Sequence, residues 1–117
     1  MASRLFNRKQ ALEKEVKELY ADVTIGASGA PTLTKGLGVT SIARNGAGDY
    51  TVTLDDKYVR LMSAQMTHLS STAEDLKMQL HSETVSTTKT VRMLTLTGAT
   101  ETDPANGTRL LIRLELR

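Results

Sequence analysis

Apolar residues fall on every second position through much of this chain. In LYADVTI, Leu19, Ala21, Val23 and Ile25 alternate with Tyr20, Asp22 and Thr24. A period of two puts the first set on one face of a strand and the second set on the other. The pattern returns from Val39 to Arg44, from Tyr50 to Leu54, and through Leu76, Met78 and Leu80. It returns again in TRLLIRLELR, where Leu110, Ile112, Leu114 and Leu116 share a face. Arg109, Arg113, Glu115 and Arg117 mark the other face of that segment, and charges so placed discourage edge-to-edge aggregation. VRMLTLT carries Val91 and Met93 on one side and Leu94 and Leu96 on the other, which predicts a central strand.

Ahead of Leu19 the period differs. Asn7 can cap a helix, and Gln10 completes a capping box. Ala11, Leu12, Val16 and Leu19 recur at helical spacing, and Glu13 and Lys17 form a favourable i, i+4 pair. The spacing predicts a short helix over 8–17 that hands over to a strand near Leu19. The chain then divides into an N-terminal helix or arm, 1–18, and a single β-domain, 19–117.

The connections are uneven. GASGAPTLTKGLG, 26–38, holds four glycines and Pro31 and reads as a loop or extended arm. It is long for a connection, as segments that order on a partner often are. In GVTSIARNGAGDYTVTL, residues Asn45, Gly46, Gly48 and Asp49 tolerate positive φ and predict a hairpin. Its loop reads as longer than the tight two-residue Asn-Gly type. DDKYVRLMSAQMTHL fits two periods. Tyr58, Leu61, Met62, Met66 and Leu69 suit a helix; Tyr58, Arg60, Met62, Ala64, Met66 and His68 share one strand face. Flanking strands favour a turn at 55–57 and then a strand, against the local helix propensity. SETVSTTK and TGATETDPANG read as polar loops. Six or seven strands with turns between them predict a mainly β fold, an antiparallel β-sandwich or jelly-roll-like barrel.

The 117 residues suit one domain. Aromatic residues make up only 3%, so the core must rest on Leu, Val, Ile and Met, including Met62, Met66, Met78 and Met93. Fifteen basic and 13 acidic residues leave a net charge of +2, without the basic stripe of a nucleic-acid binder. The absence of cysteine excludes disulfides, thiolate chemistry and Cys-based zinc sites. Met1 to Gln10 is polar and basic, so no secretory leader is expected, and no apolar run is long enough to span a membrane.

Candidate chemistry is sparse. His68 and His81 stand thirteen apart, without HxH or HExxH spacing. GASGA misses the GxSxG nucleophile elbow at Ala30, and GLGVTS lacks the third glycine of a dinucleotide loop. The acidic pairs Asp55–Asp56 and Glu74–Asp75 read as solvated turn residues, not as the facing carboxylates of a glycosidase. Asn106-Gly107-Thr108 matches a glycosylation sequon and reads as a turn. No catalytic, cofactor or metal residue is expected. Tyr20, Tyr50 and Tyr58 leave room for a small carbohydrate-binding module.

RLFNRKQALEKEVKELYADVTIGASGAPTL followed by GVTSIARNGAGDYTVTLDDKY resembles the small head decoration, or cement, proteins of tailed bacteriophages. The shared pattern is an apolar strand, an R-x-G-x-G-x-Y turn and a TVTL strand. It covers about the first half of the chain; nothing from Met62 onward takes part. Tail and fibre proteins share the hairpin, so a tail or fibre adaptor is the alternative. The resemblance implies a β-sandwich or jelly-roll-like oligomer, often a trimer, on the outer capsid surface. There it would bridge major capsid subunits, with no catalytic residues, nucleic acid or membrane involved. The expected interface lies toward the N-terminus. It comprises Arg4, Arg8 and Lys9, the apolar Leu5, Phe6, Leu12, Val16 and Leu19, and Pro31 and Leu33 of the glycine-rich segment.

Overall fold

The alternating segments become strands that turn their apolar positions to one shared interior. A computed structural model describes residues 16–117. In chain order the strands are β1 (Lys17–Ile25), β2 (Pro31–Leu37), β3 (Val39–Gly46), β4 (Asp49–Leu54) and β5 (Leu61–Leu69), then β6 (Lys77–Thr84), β7 (Thr90–Thr97), the two-residue β8 (Thr100–Glu101) and β9 (Arg109–Leu116). They form two antiparallel sheets packed as a sandwich. The first has the order β2-β1-β9-β5; the second has the order β3-β4-β7-β6, with β8 added beside β7.

The core lies between the sheets. Leu19, Ala21, Val23 and Ile25 of β1 and Leu110, Ile112, Leu114 and Leu116 of β9 face Tyr50, Val52 and Leu54 of β4 and Val91 and Met93 of β7, each no more than 5% exposed. Burying one such side chain contributes about 1.5–3 kcal/mol, and a one-residue slip would turn a whole strand's set outward. Register is therefore held by the same residues that make the core.

Several expectations are corrected. Of the predicted helix, 8–15 lie outside the described residues, while Lys17 already opens β1, opposite Leu116. The first strand thus begins two residues before Leu19. Most of 26–38 is not a loop: Pro31–Leu37 is β2, paired to β1 from Tyr20↔Leu37 to Ile25↔Pro31. Two of its glycines serve close packing instead of flexibility. A Cβ on Gly36 would stand 2.8 Å from the Val39 carbonyl oxygen, and one on Gly38 would stand 2.3 Å from Leu19 Cδ2. The hairpin turn is tighter than expected. Gly46 pairs with Asp49, so only Ala47 and Gly48 connect the strands, and a register shift between Arg44 and Gly46 absorbs the extra residue.

Residues 61–69 are the strand β5, as context favoured over propensity. β7 is internal, between β4 and β6. β9 is internal as well, so its charges guard no edge; Arg109 and Arg113 pair with acids of β1 instead. In SETVSTTK the strand β6 continues to Thr84, and Val85 is 1% exposed. TGATETDPANG contains β8 and folds back on β7, with the Thr102 N–H donating to the Thr95 carbonyl.

Candidate functional site

Alternation that buries one face of the first sheet leaves the other open, and that outer face carries a shallow concavity. Rows of cross-strand partners run across it. Leu37 of β2 stands opposite Tyr20 of β1, which stands opposite Arg113 of β9, which stands opposite Gln65 of β5. The next row is Lys35, Asp22, Leu111 and Thr67. The right-handed twist of a sheet makes such a face concave along one diagonal. These two rows line a shallow concavity of about 620 Å³.

Leu37 is 63% exposed, Tyr20 45% and Leu111 38%; Leu69, at the far end of β5, is 49% exposed. Arg109 and Arg113 beside them are paired with acids of the chain. Arg109 donates to both Asp22 oxygens, from Nε at 3.1 Å and Nη2 at 2.5 Å. Arg113 Nη2 bridges Glu18 and Glu115. Hydrogen bonds to these acids raise the pKa of both guanidinium groups. A surface so arranged offers apolar side chains for contact and ion pairs that add orientation.

A second polar cluster ties loops together. Asp103 accepts from Arg44 Nε at 3.0 Å and Nη2 at 2.7 Å, and from the buried Gly48 N–H at 2.8 Å. The Tyr50 hydroxyl lies 3.3 Å from Asp103 and donates to the Gly29 carbonyl at 2.8 Å. Hydrogen bonding from Arg44 holds the Asp103 carboxyl below its ordinary 3.8. Burial, with Asp103 alongside, raises the Tyr50 phenol above its ordinary 10.0. An ionised acceptor beside a buried, reluctant phenol is a clamp; it presents no nucleophile. Asp49 is handled similarly: Arg92 donates to both its oxygens and lowers its pKa.

The chemistry-bearing residues stay apart. Ser28, in the 3₁₀ turn Ala27–Gly29, has φ +59° and no side-chain hydrogen bond among the described residues. His68 stands opposite Leu110 on β5, while His81 is exposed on β6. Among the described residues no three His, Cys, Asp or Glu side chains gather to hold a metal ion.

Of the expected N-terminal interface, Val16, Leu19, Pro31 and Leu33 fall within the described residues. Arg4, Leu5, Phe6, Arg8, Lys9 and Leu12 lie outside the described residues. Val16 is exposed at the entry to β1. Leu19 is 5% exposed and belongs to the core, because its position matches the inward parity of Ala21 and Val23. Pro31 stands opposite Ile25, and Leu33, opposite Val23, packs on the core. Leu37 and Leu111 are not singled out by the sequence reading, and Tyr20 only as a carbohydrate contact. The available signal was an apolar residue on the polar parity, as in the Leu110-Leu111 doublet. No family model matches the chain, and no match to it was found among curated proteins or solved structures.

Proposed function

We propose that this chain is a structural virion protein that decorates the outer surface of a phage capsid and bridges neighbouring subunits of the major capsid protein. The contact is the outer face of the first sheet. The observation that carries the reading is the gathering of Tyr20, Leu37, Leu69 and Leu111 on that face, four of the eight large apolar side chains exposed among the described residues. Scattered apolar residues need no explanation; a group on one sheet face, rimmed by paired charges, fits a protein contact. The resemblance of the first half of the chain to phage decoration proteins supplies the partner. Each contact can be weak, because many copies on one particle act together.

The test is co-sedimentation of the purified protein with phage heads that lack it, beside the variant Tyr20→Glu/Leu37→Glu. Saturable binding that falls at least about tenfold in the variant is expected, as loss of two central contacts implies. A folded wild-type protein that stays in the supernatant at every ratio sinks the reading. Labelled electron micrographs placing it on the tail would then favour a tail or fibre adaptor. A second reading, a carbohydrate-binding module, draws on the exposed Tyr20 ring beside Gln65 and Lys35 in the concavity. Binding on a glycan array, abolished by Tyr20→Ala, is its signature.

A further inference from the structure

Among the described residues, two open sheets leave four edge strands: β2 and β5 in the first sheet, β3 and β6 in the second. Unpaired edges template association, and natural proteins blunt them with charge, proline or bulges. Three of these edges are blunted. β2 begins with Pro31, carries Lys35 and faces a register shift in its pairing. β3 carries Arg44 and has two register shifts. β6 carries Lys77 and Glu83 and has a shift between Leu80 and Ser82. β5 is different. LMSAQMTHL contains no Asp, Glu, Lys, Arg, Pro or Gly across nine residues. Its one shift lies at the start, between Leu61 and Ser63, which leaves Ser63 to Leu69 in unbroken register with β9. Among the described residues β5 pairs only with β9.

The apolar exposure agrees. Met62 is 54% exposed and Leu69 49%, both on β5, and Leu80 on the neighbouring β6 is 38% exposed. We infer that the β5 edge is where two copies of this chain pair, antiparallel across a twofold axis, joining two four-stranded sheets into one of eight strands. The absence of charge favours a second copy over a charged partner, since β5 offers no field to steer one and no like charges to repel itself. Symmetry about Met66 sets Ser63 against Leu69, Ala64 against His68, and Gln65 against Thr67. The two His68 side chains therefore do not meet. The contact is isologous and closes at two, so a dimer is expected where the resemblance implies a trimer. A nine-residue edge is about 30 Å long and the two-sheet stack about 10 Å deep, giving only a few hundred Å² per copy. Such a contact is below standard size, so the pairing is weak and must be sought at roughly 100 μM protein.

This inference shares Leu69 with the capsid reading, but it does not rest on that reading and its test needs no capsid. Sedimentation velocity on the full chain, across concentrations up to that range, should show mass rising to that of a dimer. Gln65→Lys/Thr67→Lys changes two exposed outer-face positions and should leave a folded monomer by circular dichroism. Mixing it with Gln65→Glu/Thr67→Glu should restore a heterodimer, an outcome that general surface perturbation does not produce. In the wild type, amide exchange over 61–69 should slow as concentration rises. The proposal is overturned by a monomer throughout, by a trimer, or by association that ignores the lysine variant. Association lost on deleting 1–15 yet untouched by the lysine variant overturns it too, and would assign the contact to the N-terminal segment.

Discussion

Replacing Asp103 by Ala removes the group on which the β3–β4 turn and the 98–108 segment converge. Its carboxylate accepts from the Gly48 N–H at 2.8 Å, and Gly48 is buried. Once the carboxylate is gone that donor has no other partner in reach of Ala, and an orphaned buried donor costs about 1–3 kcal/mol. The Arg44 pair adds little, because its side chains are 33% and 24% exposed and water screens them. For a domain of this size each kcal/mol moves Tm by about 4 °C, so thermal denaturation at pH 7 should fall by about 4–12 °C. The pH dependence gives an independent check. The folded Asp103 pKa lies below the ordinary 3.8, mainly through Arg44. The folded protein therefore binds this proton less readily than the unfolded chain. The resulting stability is complete above the unfolded value and is lost as pH falls through the folded one. The Tm gap between wild type and Asp103→Ala should thus be full at pH 6–7 and narrow steadily below about pH 4. A gap under about 1 °C at pH 7 would refute the clamp.

Gly48→Ala and Gly98→Ala place the same methyl at the same φ, +63°, but only the first has neighbours, with Thr102 N at 2.5 Å and Thr95 O at 2.6 Å. Urea titration should show about 1–2 kcal/mol lost at Gly98, from backbone strain alone, and distinctly more at Gly48. The adjacent leucines of β9 should separate stability from contact. Leu110→Ala empties a fully buried site and should cost about 2–5 kcal/mol, whereas Leu111→Ala, on the outer face, should stay within about 0.5 kcal/mol and weaken capsid co-sedimentation.

The strands that were legible early are those whose burial is decided by parity alone. Leu19 to Ile25, Tyr50 to Leu54 and Leu110 to Leu116 announce their inward face through a period of two, a local property that any correct pairing must respect. β2 was hidden because Gly36 and Gly38 look like flexibility when their surroundings are unseen. In place, they make room for the Val39 carbonyl and the Leu19 side chain. Val85 was hidden for a similar reason: one valine among Ser and Thr has no period, and its burial depends on what packs over the β6–β7 turn. The charges of β9 were legible as an outer face but not as an internal strand, because the strand order that gives them Asp22 and Glu18 as partners is a long-range fact.

The sequence by itself determined the class of fold, the inward residues of most strands and the scarcity of reactive groups, since each follows from residue type and short-range periodicity. The tertiary structure decided which strands became edges, which apolar residues were left on the outer face of the first sheet, and that Asp103 would meet Gly48 across fifty-five residues. Those outcomes depend on strand order and sheet stacking. Both are set by the sum of many burial and pairing energies over the whole chain, and no short window contains them.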